Sequence, residues 1–469
     1  MSRAAAMRRL GDERPGDRAA IKGDDTMRTL TAALAGTAMG LCALAATAQP
    51  YDEYAGQTVV AIFPQHPHYD AVMQVLPQFT EETGIEVEVD QQQYLAMREK
   101  QTLELTRDQG DYDLMGYVVF SKADYVYADQ IEPLARFFMD PKLSDPSYDA
   151  DDLFEGYMKN IGYAGGEKGY LDGPTGGQFG IPFGAETSVL AYRTDIFEKH
   201  GLEPPETYEE MLDLACRIPE LEPGMGGIAS RGQSGHQTSH AFLLHLAPLG
   251  GGIFDENWEP IVNNAAGVEA GEALKTILDC GPEGATSFGY AEAKNAFLSG
   301  QAAMILDSTA IGGEVNNPEL SQVVDKVAFV AHPCAVECAS QTGGFGLAIP
   351  KNAQNKEAAF LLMQWLTSKK GDKAIALAGG SPSRLSTTQD PEVLAKFPHL
   401  EVFGEALADA DPDWRPIIPA WGEINSELGT TLNMAMTGDM TVQEALDQVA
   451  ARSREIMEQA GYYSWGQSN

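Results

Sequence analysis

Basic side chains are scarce in this chain: 32 lysines and arginines face 68 aspartates and glutamates among 469 residues, a formal net charge of −36 at pH 7. With no basic stripe to neutralise phosphates, nucleic acid is excluded as a partner, and anionic lipid on the same ground. A surface this acidic keeps a protein soluble, and counterions in a saline exterior would screen its self-repulsion. Long apolar runs are scarce too. The clearest one, residues 30–46 (LTAALAGTAMGLCALAA), is rich in Ala, Gly and Thr and too weak for stable membrane insertion. A phosphate loop, an HExxH pair, a GxSxG elbow and a dinucleotide fingerprint are all missing, which argues against the enzyme classes they mark. The Cys-x3-Cys of Cys334 and Cys338 has only His332 beside it, so neither metal nor cofactor is expected.

The weak apolar run has a different use. Met27-Arg28 precede it and Ala46-Thr47-Ala48 follow, the charged, apolar and small-residue order of a cleavable export signal ending at Ala48. Leu41 stands before Cys42 where a lipoprotein signal needs a small residue, so lipidation is not expected. Residues 1–26 are polar and extend awkwardly ahead of the signal, and Met27 reads as the natural start. Processing removes seven basic and five acidic side chains and leaves the mature chain more acidic still. It also leaves Cys216, Cys280, Cys334 and Cys338, which in an oxidising compartment allow three disulfide connectivities. The expected one pairs the near neighbours, Cys334 with Cys338, and the distant pair, Cys216 with Cys280.

The mature length exceeds what one core usually supports, so two lobes are expected. QTVVAIF (57–63) reads as a strand, DAVMQVLPQFTEETG (70–84) as a helix stopped by Gly84, and IEVEVD (85–90) as a second strand. A helix over 94–108 and the near-continuous apolar run DLMGYVVF (113–120), read as a buried parallel strand, complete β-α-β-α-β. Further on, QAAMILD (301–307) and GGFGLAIP (343–350) read as strands. NKEAAFLLMQWLTSKKG (355–371) reads as one helix, capped by Asn355 and stopped by Gly371. Residues 441–461 read as a terminal helix.

Several of these segments, in order, resemble family 1 extracellular solute-binding proteins of ABC importers. They are VVAIFPQHPHYDAVMQVLPQFTEETGIEVEV, GIPFGAETSVLAYRTDIFEKHGLEPPETYEEML, RGQSGHQTSHAFLLHLAPLGGGIFDENWEP and GPEGATSFGYAEAKNAFLSGQAAMILDSTAIGG, then GGFGLAIP and NKEAAFLLMQWLTS. The last group is similar to the sorbitol/mannitol-type members in particular. The resemblance implies an α/β, type II periplasmic-binding-protein fold, two lobes with the ligand between them. Three crossovers are expected near 181–184, 342–346 and 378–384. The first lobe would then take 49–182 and 344–382, and the second 183–343 and 383–469. A monomer is implied, in the periplasm, taking a sugar or polyol and delivering it to permease subunits.

A site for hydroxyl-rich solutes needs hydrogen-bonding side chains and an aromatic face, gathered at strand ends. Glu186 is the leading candidate, because a carboxylate accepts two hydroxyl protons and its spacing to Tyr192 is similar to that of a sugar-contacting Glu in relatives. Gln65 and His66 follow the first strand in a loop stiffened by two prolines. Tyr117 and Ser121 close the third strand. In RGQSGHQTSH, Arg231, His236 and His240 stand beside Ser234, Thr238 and Ser239, which could cap the following helix. Asp307 resembles the family's polar turn. Gly344 and Phe345 occupy the second crossover, where the sorbitol/mannitol-type relatives tend to carry Trp. Arg384 lies by the third crossover, and Trp421 is the expected stacking platform. Two rival readings remain: Arg231 and Arg384 could anchor an anionic sugar derivative, and Glu186 with Asp307 could form the acid–base pair of a secreted carbohydrate enzyme. Presentation of a ligand to a chemoreceptor is a third role compatible with the resemblance.

Overall fold

The computed structural model describes residues 51–164 and 176–464. The export segment at 27–48, the leader ahead of it and part of the Gly-rich stretch after residue 162 lie outside the described residues. The chain opens with β1 (Thr58–Pro64), α1 (Pro67–Thr83), β2 (Glu86–Gln92), α2 (Tyr94–Glu104) and β3 (Leu114–Val118). β1 is parallel to both of its neighbours, β2 and β3. Helix α1 starts three residues before its apolar periodicity does. Pro67 takes the first turn, where its missing N–H is harmless, and His66 caps it by accepting the His68 N–H at 3.2 Å. Gly84 stops it in the left-handed region, at φ 70°.

The chain continues through β4 (Ile181–Glu186) and β5 (Ser188–Arg193), then α3 (Tyr208–Leu221), β6 (Gly226–Ala229), α4 (His236–Leu246), α5 (Ala265–Asp279) and α6 (Tyr290–Leu298). Strands β7 (Ala302–Ser308), β8 (Val327–Ala331) and β9 (Gly343–Ala348) follow. Two mixed sheets result, ordered β2-β1-β3-β9-β4 and β8-β5-β7-β6. β4 and β5 are separated only by the buried Thr187, yet they belong to different sheets, so the chain changes sheet at that residue. It changes back between β8 and β9. β3 is therefore not the purely parallel strand its apolar run suggests, because β9 pairs with it antiparallel.

The run from 355 to 371 is not one helix but parts of two, α7 (Lys356–Leu366) and α8 (Lys369–Leu377). Ser368 breaks them apart by capping α8, accepting the Gly371 N–H at 3.1 Å. Gly371 is thus a first-turn residue, not a stop, and a Cβ there would sit 2.1 Å from the Trp365 carbonyl oxygen. Asn355 occupies the cap position of α7 without a side-chain cap bond. The chain ends through α9 (Leu400–Ala408), α10 (Trp421–Met436) and α11 (Val442–Gln459), the last opened by a Thr441–Glu444 capping box. One core packs α1 and α7 on the first sheet, and another packs α3, α4, α5, α10 and α11 on the second. Cys216 on α3 is joined to Cys280 at the end of α5, and Cys334 to Cys338.

Candidate functional site

Ends of strands from both sheets converge on one cavity of about 300 Å3. The first sheet contributes Gln65 and His66 after β1, Phe120 after β3, Glu186 ending β4, and Gly344 and Phe345 from β9. The second contributes Ser308 ending β7, Arg231 after β6, His236 and His240 on α4, and Tyr290 opening α6. Arg415, in the segment before α10, closes one wall.

Glu186 sits at the sheet change. Its Oε2 accepts the Ser308 hydroxyl at 2.8 Å, and its Oε1 lies 3.1 Å from His66 Nε2. The other His66 nitrogen is occupied in capping α1, so the ring proton is on Nε2, facing the carboxylate. Beyond this contact Oε1 meets no donor among the described residues, and it stays a buried acceptor with capacity to spare. Burial alone would raise the Glu186 pKa. The His66 imidazole, the Ser308 hydroxyl and the Arg231 charge more than offset it, holding the group below the ordinary carboxylate value and ionised.

Arg231 is spoken for. Its Nε donates to Asp307 Oδ2 at 2.7 Å, its Nη2 donates to Oδ1, and its Nη1 donates to Gln237 Oε1 at 3.3 Å. The guanidinium carbon stands 4.6 Å from the centre of the Tyr290 ring. Burial, then Arg231 and Arg415, press His240 well below the usual imidazole pKa; burial and the same two cations in the reverse order take His236 to about 4. Both imidazoles are neutral at physiological pH. Phe345 turns an apolar face to the cavity, edge-on to His66 at 4.9 Å and to Tyr69 at 5.2 Å. Gly344 supplies shape: its φ of 89° belongs to the left-handed region, and a Cβ would meet the Gly184 oxygen at 2.2 Å. The pairing of β9 with β4 shifts register there.

The structure brings Gln65, His66, Glu186 and Arg231 to this cavity, together with His236, His240, Gly344 and Phe345. It places five other expected residues elsewhere. Tyr117 is fully buried in the first sheet, its hydroxyl donating to the Ile161 oxygen at 2.8 Å, and Phe120 supplies the aromatic surface instead. Ser121 is buried and does not line the cavity. Asp307 is consumed by Arg231, leaving its neighbour Ser308 to face the cavity. Arg384 is wholly buried and ties the chain together, donating to the oxygens of Thr367, Asp149 and Tyr148 at 2.6, 2.7 and 2.9 Å and to Asp152 at 3.1 Å. Trp421, the first residue of α10, packs into the core on the second sheet. Nor does a hydroxyl cap α4: Gly235 precedes it, while Thr238 donates back to the Gly232 oxygen at 2.9 Å.

Tyr94, Tyr290, Gln341 and Arg415 were not legible as lining residues. No motif singles any of them out in the sequence, and only the fold gathers them. Six buried polar atoms lack a hydrogen-bond partner here: Tyr94 OH, Glu186 Oε1, His240 Nε2, Tyr290 OH, Gln341 Oε1 and Arg415 Nε. A buried polar group left unpaired is destabilising, so their concentration around one cavity marks a place built to be completed by a solute.

Known proteins of similar sequence and fold are solute-binding proteins. The chain is 29% identical over 391 residues to a mannitol-binding protein of Pseudomonas aeruginosa, covering 78% of this chain and 85% of that one. It is 26% identical over 375 residues to an erythritol/L-threitol-binding protein of Mycolicibacterium smegmatis, covering 77% and 78%. A solute-binding protein of an ABC transporter from Agrobacterium radiobacter K84, solved in complex with ribitol, superposes with a TM-score of 0.74 at 26% identity, covering 86% of this chain and 99% of that one. The two-sheet, two-lobe architecture is thus that of the periplasmic binding proteins. The family model for bacterial extracellular solute-binding proteins matches residues 64–373, and this chain belongs to that family.

Proposed function

We propose that this protein captures a small polyhydroxylated solute, a sugar or sugar alcohol, between its lobes and delivers it to the permease of an ABC importer. The observation that carries this reading is the cluster of six unpartnered polar atoms around a cavity walled by both sheets. Hydroxyl groups both donate and accept, so a polyol can satisfy Glu186 Oε1 and Arg415 Nε at once. At about 300 Å3 the cavity stands at the small end of ligand pockets, which suits a single short chain or ring better than an oligosaccharide. The relatives named for mannitol, erythritol and ribitol support the same class. Because its lining comes from both lobes, a solute stabilises the closed arrangement, and the closed form is what a permease would receive.

Transfer without chemical conversion fits the local electrostatics. The acid–base pairing of Glu186 with Asp307 would need both carboxylates facing the solute, and Asp307 is bound up with Arg231. Export through the segment at 27–48 and action as a monomer belong to this reading. The test is a thermal-shift panel of alditols, sugars and sugar acids on the mature protein. At a hundredfold excess over Kd a true ligand adds about 2.7 kcal/mol, enough to raise the melting point by several degrees. Failure of every small solute to stabilise the protein saturably would overturn the proposal.

A further inference from the structure

Arg415 stands out among the groups lining the cavity. It is only 5% exposed, yet among the described residues no carboxylate lies within ion-pairing distance and no hydrogen bond leaves its side chain. Its guanidinium carbon lies 4.2 Å from the Trp414 ring centre and 5.6 Å from that of Phe120, and the residue lines the cavity. The other buried cation here, Arg231, is neutralised by Asp307 through two N–H donors. The nearby imidazoles offer no negative charge. Glu186, the one carboxylate lining the cavity among the described residues, is engaged by Ser308 and flanked by His66. A buried guanidinium without a counter-ion is strongly disfavoured, and the fork of N–H donors it presents matches a carboxylate two bonds at a time.

We propose that the preferred solute carries a carboxylate at one end of its hydroxylated chain, an aldonate-type sugar acid, with Arg415 gripping the carboxylate and Glu186 accepting from hydroxyls at the other end. This rests on the reading of the cavity as a site for polyhydroxylated solutes and narrows it. Arg231 and Arg384, the anion anchors expected from the sequence, are both satisfied by protein groups and do not compete for the role. Tyr94, whose hydroxyl is unpartnered, can add a neutral hydrogen bond at the Arg415 end.

Matched pairs test it directly. D-gluconate with D-glucitol, and D-mannonate with D-mannitol, share their hydroxyl stereochemistry and differ at one terminal carbon. Titration calorimetry on the mature protein should give at least one aldonate a Kd tenfold or more below that of its alditol. Arg415→Met keeps the contact with Trp414 and should bring that ratio to about one, while Arg415→Lys keeps the charge and should retain part of it. Alditols binding as tightly as aldonates would overturn the inference and leave the broader function standing, as would a ratio unchanged in Arg415→Met. If no member of either pair binds, and no other solute of the class does, the broader function falls with it.

Discussion

Glu186, Trp421 and Gly344 separate three kinds of importance that side-chain identity alone does not distinguish. Glu186 faces the cavity with one oxygen unsatisfied, so its truncation acts mainly on binding. Glu186→Ala should weaken solute affinity at least tenfold, about 1.4 kcal/mol, by calorimetry. Trp421 is 3% exposed in a core. Trp421→Ala should lower stability by about 3–5 kcal/mol in urea melts. The affinity of the fraction that remains folded should change little. Gly344 is backbone. An L residue at its φ of 89° is strained and would strike the Gly184 oxygen, so Gly344→Ala should cost about 2 kcal/mol or more and disturb the junction of β9 with β4. Of these three, Glu186 is the one whose expected place, at the cavity, the fold matches. Trp421 and Gly344 were legible as special positions but not as what they are, since burial against helices and a bulge between strands involve residues far apart in the chain.

Among the secondary-structure elements, boundaries were legible where a cap or a stop carries them. Gly84 ends α1 and Thr441 opens α11 by local chemistry alone. The split of residues 355–371 into α7 and α8 was not, because helix propensity runs through it and the break is made by Ser368 and by the close approach of Gly371 to Trp365. Cross-linking also acts at this level. The Cys216–Cys280 bridge ties α3 to the end of α5 across 64 residues, whereas Cys334–Cys338 spans only 4. On chain entropy alone the long bridge contributes on the order of 4 kcal/mol and the short one about 2 kcal/mol. Paired serine substitutions should therefore lower the urea midpoint roughly twice as far at 216 and 280 as at 334 and 338. Equal losses would contradict loop entropy as the source.

For the whole molecule, buried titratable groups make the stability depend on pH. Burial takes His68, His245 and His332 from 6.5 to about 3, and all three are neutral in the folded core. Unfolded, each binds a proton near 6.5, so below that pH the unfolded state holds more protons and acid favours it. The contribution is fully present above pH 6.5 and is lost as the pH falls toward 3. Each histidine costs about 1.4 kcal/mol per pH unit in that window, together about 4 kcal/mol. Asp372 opposes them: burial raises it to about 6, so it gains a proton in the folded state first and stabilises it between pH 6 and the ordinary 3.8. Melting points read from pH 7.5 down to 4.5 should fall steeply below 6.5, and His332→Asn should flatten the decline. The net charge of −36 predicts a second dependence, on salt: if self-repulsion matters, molar NaCl should raise the urea midpoint.

Composition, local periodicity and ordered motifs determined much of this protein from the sequence alone: an acidic, two-lobed α/β solute binder, with Glu186 and His66 among the candidates that the fold brings to one cavity. Those features are local, carried by neighbours in the chain or by segments whose order is itself the signal. The tertiary structure decided which polar residues line the cavity. Asp307 and Arg384 are drawn into ion pairs with partners 76 and 232 residues away, Tyr117 is turned into the core, and Arg415 is brought to the cavity without a counter-ion. Charge compensation depends on distances in space, and a lone arginine between Trp414 and Pro416 reveals nothing about which carboxylates the fold will place beside it.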